Sequence, residues 1–479
     1  MNDTDQSSPR CWICLGEGDE VPPLGTKADA HDWIHPCACS LVAHRKCLLN
    51  WISNLDLQER RQGNGIAPRP ANEGVFFNFP FAAPLVGVPL LGESQSIIVN
   101  CPQCKKQIFL KSSSGSLLNM RKVFQDCVST LTRVTVISTL VSSTVASYAL
   151  GMTAGCSASG MKILQTLAPN SVQLSLFDVR NTPSVIGAID RGRLPMARFL
   201  LVTAAIPPYL YLLRKPFIPA MQEAFVQLFP FLFLTDGTSL LESGPKRNLL
   251  FIAPLKFVYG VLYKVTLNRV YYRWARSVQP CFIADGLSAE TLEIIERENE
   301  EEFEIQQEDE EERIKLENSL QKTRNSLVIL LKRFLHYLVP SDRIRQIRIS
   351  RLKRELECCF KTDFGLLFSK PRFYYNIATT LAWPVLGEYA SRELLAKIPF
   401  VVGLINRHVS TPDEATFLRN LAGCFAVVIA SDLVSLFFAW RKVKQLQNIR
   451  VLKYGTKEWR EASSNSITTD LTLMDRGNM

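Results

Sequence analysis

Four runs of apolar residues stand out along this chain of 479 residues. They lie near residues 134–156, 194–213, 373–389 and 421–440. At about 1.5 Å per residue, the first and fourth are long enough as helices to cross a hydrocarbon layer roughly 30 Å thick. The second and third contain proline, which a kinked span tolerates. The pattern therefore predicts an α-helical multi-span membrane domain, and the alternative for each run is a buried core helix.

The stretches between these runs predict the remaining organisation of the chain. We expect a membrane region at 120–275 with the first two spans, an acidic linker at 283–325, a region at 326–460 that starts with an amphipathic helix and holds the other two spans, and a polar tail at 461–479. The apolar stretch Leu249–Tyr263 is too short or too charged to span by itself. We expect it to lie along the membrane interface.

Charge is distributed unevenly along the chain. Residues 285–317 contain 15 acidic and 3 basic residues, which favours a solvated linker over a helical interaction arm. The rest of the chain is strongly basic, and much of that charge flanks the apolar runs. This placement favours a lipid bilayer as partner and no nucleic acid. Basic residues before the first run and after the fourth predict that both termini face the cytosol, and hence an even number of spans.

Pairs of metal-ligating residues occur in the first 110 residues. The four pairs are Cys11 and Cys14, Cys37 and Cys39, His44 and Cys47, and Cys101 and Cys104. Seven thiolates and one imidazole fit two tetrahedral zinc ions. We therefore predict a small zinc-bound α+β domain at 1–110, with a long insertion at 48–100. His31 and His35 have no cysteine at the two-residue spacing, so we interpret them as loop residues.

The order of the pairs is that of a RING finger, whose cross-brace assigns alternate pairs to each ion. Zinc 1 would be held by Cys11, Cys14, His44 and Cys47, and zinc 2 by Cys37, Cys39, Cys101 and Cys104. A cysteine as fourth ligand and a histidine as fifth define the RING-CH variant. The ligand segments, together with Trp51 and Ile52, resemble the membrane-associated RING-CH (MARCH) ubiquitin ligases.

The resemblance extends into the membrane part of the chain. Four apolar runs that end before Ile449-Arg-Val-Leu-Lys-Tyr454 look like the four-span member of that family in the mitochondrial outer membrane. The endoplasmic reticulum and the peroxisomal membrane are the alternatives. Two features depart from the family: only four residues separate Cys39 from His44, and the gap from Cys47 to Cys101 is unusually long.

The resemblance implies an enzyme, a RING-type E3 ubiquitin transferase, that has no nucleophile of its own. Such a domain docks a ubiquitin-charged conjugating enzyme and promotes transfer of ubiquitin to lysines of membrane or nearby proteins. By position, the docking residues would be Ile13, Trp51 and Pro102. Lys105 would be the cation that contacts both ubiquitin and the conjugating enzyme. The alternatives are core packing for Ile13 and Trp51 and an ordinary surface position for Lys105.

Two other functions remain open from the sequence. The first is a zinc-stabilised membrane scaffold that has no ligase activity. The second is a transporter or channel with a regulatory finger, which would rest on Asp432 within the fourth run, because acidic residues within spans are often functional. A self-ubiquitination assay separates the ligase from the scaffold.

Overall fold

The computed structural model describes most of the helical region and much of the region that holds the cysteine and histidine pairs. The described residues are 9–18, 20–22, 27–61, 99–111, 115–141, 145–179, 182–233, 244–278, 342–369, 373–409 and 411–460, with 283, 295, 297 and 314. Most of the predicted 48–100 insertion, nearly all of the acidic linker, the amphipathic stretch at 326–339 and the polar tail lie outside them. The chain divides into two units, Met1–Gly115 with Tyr272–Cys358 and Arg441–Met479, and Ser116–Tyr271 with Cys359–Trp440.

Among the described residues, the first unit contains three small antiparallel sheets, and one α-helix lies wholly within it beside the ligand pairs. Its elements are the 3-10 helix Lys27–His31, β1 (Trp33–Ile34), β2 (Ala43–His44), α1 (Arg45–Arg61), β3 (Val99–Asn100), β4 (Gln107–Ile108), β5 (Leu110–Lys111) and, far along the chain, β6 (Arg450–Val451). The strands pair as β1 with β2, β3 with β4, and β5 with β6. Ile34, Leu48, Ile52 and Val451 are buried together with ligand cysteines. With so small an apolar core, stability has to come from another source, and metal is the usual one.

The second unit is helical. The helices that lie wholly or partly in it are α2 (Ser116–Val141), α3 (Val145–Leu167), α4 (Asn170–Leu176), α5 (Val185–Asp190), α6 (Met196–Leu213), α7 (Ala220–Leu228), α8 (Gly244–Leu250), α9 (Ile252–Val265), α10 (Leu267–Arg276), α11 (Asp342–Lys361), α12 (Gly365–Phe368), α13 (Phe373–Glu393), α14 (Pro399–His408) and α15 (Pro412–Gln447). Helices α10 and α15 end in the first unit, and α11 belongs to it up to Cys358. An N-terminal domain with cysteine and histidine groups followed by a mostly helical region is thus the architecture of the chain.

Small residues let helices of the second unit approach closely. On α3, a Cβ added at Gly160 would overlap the Thr203 carbonyl oxygen of α6. One turn away, the hydroxyls of Ser157 and Thr203 lie 2.5 Å apart. Between α13 and α15, a Cβ on Gly387 would overlap the thiol of Cys424. Close backbone approach at small residues is typical of helix packing in membranes, where apolar surface alone gives little drive for association.

Three helices among the described residues are long and apolar enough to cross a membrane: Met196–Leu213, Gly244–Arg276 and Pro412–Gln447. The first and third coincide with the second and fourth predicted spans. The second candidate helix, Gly244–Arg276, contains the stretch Leu249–Tyr263, which we expected to lie along the membrane interface. That expectation treated the stretch alone, whereas α8, α9 and α10 follow one another with little interruption over 33 residues.

The other two predicted spans have a less simple outcome. The run at 134–156 is divided between α2 and α3, on either side of residues 142–144, which lie outside the described residues. The run at 373–389 is helical as part of α13, but Asn376 and Glu388 lower its average hydropathy, and it is not among the three candidates. Four spans therefore remains a prediction.

Asp432, the acidic residue in the fourth apolar run, has a hydrogen-bond partner on another helix. The Tyr259 hydroxyl of α9 donates a hydrogen bond to the Asp432 carboxylate. A neighbouring cation, Arg214, donates to the Thr379 hydroxyl at 2.8 Å. These contacts join helices through polar side chains, which is a common form of association in membrane proteins. Asp432 therefore takes part in the packing of helices α9 and α15.

Candidate metal centre

The first and last cysteine pairs lie in tight turns of the same form. In the first turn, the Leu15 N–H donates to the Cys11 carbonyl at 2.8 Å, and the Cys11 N–H donates to the Gly16 carbonyl at 2.9 Å. Such a turn needs a left-handed residue directly after the second cysteine, and Leu15 has a φ of 62°. A non-glycine residue in this conformation costs about 1–2 kcal/mol, so the surrounding contacts have to hold it.

The last cysteine pair repeats this geometry at the tip of the β3–β4 hairpin. The Lys105 N–H donates to the Cys101 carbonyl at 3.0 Å, and the Cys101 N–H donates to the Lys106 carbonyl at 2.8 Å. Lys105 has a φ of 57°. The strained residue is therefore the lysine that the sequence singled out.

The β1–β2 hairpin positions the two middle pairs. Cys37 and Cys39 lie in its connection, and the register pairs Trp33 with His44 at the end of β2. Helix α1 begins at the next residue, so Cys47 lies in its first turn, three positions after His44. A gap of four residues between Cys39 and His44 is therefore enough to separate the second pair from the third.

The structure brings Cys11, Cys14, His44 and Cys47 together as one group, with all four ligand atoms within 4.8 Å of one another. His44 Nδ1 lies 3.4 Å from the Cys14 sulfur and 3.9 Å from the Cys47 sulfur. The opposite ring nitrogen, Nε2, is buried and has no hydrogen-bond partner among the described residues. The Trp33 ring lies 4.0 Å from the imidazole, centre to centre. Nδ1 is thus the nitrogen that faces the thiols.

Cys37, Cys39, Cys101 and Cys104 form the second group, also within 4.8 Å. The Cys37 sulfur lies 2.7 Å from the Cys39 sulfur and 3.4 Å from the Cys101 sulfur. All of these cysteines are free thiols rather than disulfides. The fold therefore joins residues more than sixty positions apart, and the predicted alternation of pairs is the one that the geometry brings together.

The donor chemistry of both groups suits a divalent cation. Burial raises the pKa of the Cys37 and Cys47 thiols, so a metal-free group would hold them protonated. Burial also lowers the pKa of His44, which favours the neutral imidazole that metals bind. A cation would reverse the balance at the thiols by stabilising thiolate. One S₃N and one S₄ set are compatible with two zinc ions.

The predicted docking residues surround these groups with part of their surface accessible. Ile13 and Trp51 are half-buried, and Pro102 and Lys105 are exposed. Trp51 packs edge-on against Trp12, with ring centres 5.1 Å apart, so core packing and partial access coexist in this side chain. His31 and His35 belong to neither ligand group.

Sequence reasoning missed two features of this site. Leu15 is 60% exposed beside the first group, and its position after a ligand cysteine was the signal. The second feature is β6, whose Val451 is buried in the same core as the ligand cysteines. Two β-branched residues after α15, Ile449 and Val451, were its local signal, and nothing in the sequence indicated which strand it would join.

Comparison with known proteins agrees with this geometry. Residues 11–63 match the RING-variant domain, and residues 158–454 match the YMR187C C-terminal domain. The uncharacterized RING finger protein C32F12.07c of Schizosaccharomyces pombe is 41% identical over 56 residues, which are 11% of this chain and 16% of that protein. The chain thus spans about a sixth of that relative. No solved structure matches the chain. Since the second model covers well over half of its length, the chain belongs to the family of the YMR187C C-terminal domain and has a RING-variant domain before it.

Proposed function

We propose that this chain is a membrane-anchored RING-type ubiquitin-protein ligase. The observation that carries the proposal is the alternation of ligand pairs between two groups, with the RING-variant match over the first three pairs. Cys11, Cys14, His44 and Cys47 would hold one zinc ion, and Cys37, Cys39, Cys101 and Cys104 the other. With four protein ligands each, both ions would be structural and would leave no open position for a substrate.

Transfer would depend on how the domain positions two other proteins. Ile13, Trp51 and Pro102 would contact the conjugating enzyme, and exposed Leu15 would extend that apolar surface. Lys105 would donate to ubiquitin and to the conjugating enzyme together. The domain would accelerate the reaction by restricting the orientation of the thioester relative to an incoming lysine, which needs no nucleophile from this chain.

The apolar helices would anchor this domain in a membrane, with membrane or nearby proteins as substrates. Pairing of β5 with β6 supports a topology in which the domain and the residues after α15 share one side. That side would be the cytosol, where ubiquitin and its conjugating enzymes are available, and the number of spans would be even. The family resemblance favours the mitochondrial outer membrane. Imaging a tagged chain against markers for mitochondria, endoplasmic reticulum and peroxisomes tests this assignment.

Single-turnover release of ubiquitin tests the proposed activity. The full chain is reconstituted in vesicles and mixed with a panel of ubiquitin-charged conjugating enzymes and free lysine. We expect faster discharge for at least one enzyme, and loss of that stimulation in Cys39→Ser, which removes a ligand of the second group. If the unmodified chain holds two zinc ions and stimulates no enzyme of a broad panel, the zinc-stabilised scaffold is the correct interpretation.

A further inference from the structure

The segment that follows the last long helix is built into the zinc-ligand domain. We define it as the C-terminal segment, residues 449–460. Its strand β6 pairs antiparallel with β5, with Leu110 opposite Val451. The Leu452 N–H donates to the Phe109 carbonyl at 2.9 Å. Val451 is 1% exposed, so the segment contributes to the core of the domain rather than covering its surface.

The C-terminal segment contacts each of the three stretches that carry the later ligand pairs. Beside Cys37, the His35 carbonyl accepts a hydrogen bond from the Tyr454 N–H at 2.9 Å. Beside His44, the Arg45 guanidinium donates to the Val451 carbonyl at 2.9 Å. The third stretch is β5, which follows the last cysteine pair closely. Ligand stretches of both metal groups are therefore bridged by one short piece of chain.

Aromatic contacts concentrate next to Lys105. The rings of Phe109 and Trp459 pack edge-on with centres 5.8 Å apart, and Trp459 also packs against Tyr454 at 4.6 Å. The Lys106 ammonium lies 5.9 Å from the centre of the Tyr454 ring, within the range of a cation–π contact. The C-terminal segment thus touches the residue directly after Lys105 and the strand that leads away from it.

These contacts bear on a strained position. Lys105 has a left-handed backbone, and strain of this kind persists only where surrounding contacts hold it. One such contact is the hydrogen bond from the Cys101 N–H to the Lys106 carbonyl, and the side chain of Lys106 lies against the C-terminal segment. None of the eight ligand side chains belongs to the segment, so undocking it would remove contacts from the outer side of this turn without removing a metal ligand.

We propose that the C-terminal segment is a positioning element of the transfer site, which holds the last cysteine turn and Lys105 in the orientation that ubiquitin transfer requires. The unit that acts on the conjugating enzyme is then assembled from two distant parts of the chain. This inference rests on the proposed ligase function. It differs from a purely stabilising function because it predicts slower transfer in a domain that keeps its metal and its docking surface.

The test uses the full chain in vesicles, with a conjugating enzyme that the unmodified chain stimulates. Val451→Asn puts an amide into the buried position, and Lys453→Asn puts the same side chain on an exposed position of the same segment. We expect discharge to slow by about tenfold in Val451→Asn, because small errors of orientation reduce rates steeply. The discharge rate of Lys453→Asn should stay within about twofold of that of the unmodified chain. Val451→Ile, which keeps an apolar β-branched side chain at the buried position, should also keep the unmodified rate.

Three further measurements separate positioning from folding. The undocked variants should keep two zinc ions per chain and should bind the uncharged conjugating enzyme with unchanged affinity. The maximal discharge rate should fall, whereas the concentration of charged enzyme that gives half of that rate should stay the same. Hydrogen exchange at Leu452 reports whether the segment has undocked. A second undocking variant, Leu452→Pro, removes the N–H that bonds to Phe109 and should behave like Val451→Asn.

Each contrary outcome has a distinct meaning. If undocked variants discharge ubiquitin at the unmodified rate, the C-terminal segment does not position the site and the inference is wrong. If the undocked variants lose zinc or their affinity for the conjugating enzyme, the segment is needed for folding of the domain, and the positioning proposal is equally wrong. If the unmodified chain stimulates no enzyme, the proposed function fails first and the inference falls with it.

Discussion

The guanidinium of Arg45 donates a hydrogen bond to the carbonyl oxygen of Val451, 406 positions along the chain, at 2.9 Å. The same guanidinium donates through Nε to the Asp32 carboxylate at 2.8 Å. Asp32 lies just before β1, and Arg45 directly follows the ligand His44. One side chain therefore connects the β1–β2 hairpin, helix α1 and the C-terminal segment.

Replacing this arginine should loosen the C-terminal segment. We expect Arg45→Ala to lower the free energy of undocking the C-terminal segment by about 1–3 kcal/mol, because hydrogen bonds to charged groups are stronger than neutral ones. Hydrogen exchange at Leu452 and Tyr454 in the full chain should become faster. The matched control is Lys46→Ala, which removes only a half-exposed pair with Asp29 at 3.7 Å and should cost no more than about 1 kcal/mol. Equal exchange in the two variants would contradict the importance of the Arg45 contact.

Metal content provides a second prediction. The full chain should bind two zinc ions, and Cys39→Ser should lose one, because the cysteine groups share no ligand. Chelation should expose the cysteines to thiol reagents and abolish discharge. A single zinc ion in the unmodified full chain would rule out the two-group assignment.

The docking surface can be separated from the cation beside it. Ile13→Ala should weaken binding of the conjugating enzyme by roughly five- to thirtyfold, the usual effect of truncating a central apolar contact. Zinc content measured on the same samples should not change. Unaltered affinity across the enzymes that the unmodified chain stimulates would remove Ile13 from the docking surface.

The charge of Lys105 can be removed by a substitution that keeps its left-handed backbone conformation. Asparagine adopts the left-handed conformation more readily than most residues, so Lys105→Asn should keep the turn while removing the charge. We expect binding of the conjugating enzyme to persist and discharge to slow, because the cation acts when ubiquitin and the enzyme are held together. Equal discharge by Lys105→Asn and the unmodified chain would make this lysine an ordinary surface residue.

Helix packing in the second unit gives a prediction with an internal control. Gly160→Ala should destabilise this unit by about 1–3 kcal/mol, since the added methyl overlaps the Thr203 carbonyl. Gly155→Ala lies on the same helix, where a Cβ meets nothing within 4 Å, and should be neutral or slightly stabilising. Thermal unfolding in detergent measures both. Equal midpoints would show that α3 and α6 do not approach as described.

Topology is tested with protease added to intact organelles that contain a chain tagged at both ends. We expect both tags to be removed, because β5 and β6 belong to one sheet and therefore lie on one side. Protection of the C-terminal tag alone would mean an odd number of spans. The pairing of β6 with β5 would then be wrong for the chain in its membrane.

The clustering of the ligand side chains could be predicted from the sequence because the spacing of each pair is a local feature. Cysteine and histidine at fixed short spacings are typical of metal binding, and the order of pairs restricts how they combine. The helices at 194–213 and 421–440 were likewise evident from continuous apolar residues. The stretch from Gly244 to Arg276 was harder, since charges at both ends of Leu249–Tyr263 hide a longer helix from a pattern based on apolar length.

Pairing between distant strands was beyond the sequence for a physical reason. A two-residue strand such as β6 has almost no periodicity, and its partner is chosen by tertiary contacts of Arg45 and Val451 rather than by local preference. Partial exposure at Leu15 depends in the same way on the fold around the first cysteine turn. Residues of this kind become visible only once the ligand groups are placed in space.

The β5–β6 sheet also sets a delay between making the first ligand pair and completing the domain. Ribosomes add about 5–20 residues per second, so Val451 emerges roughly 20–90 seconds after Cys11. During that interval the newly made cysteines can bind metal while one edge of the domain is still missing. The chain would therefore acquire its last strand only after the apolar helices have been made, and a chain arrested before that strand would remain incomplete.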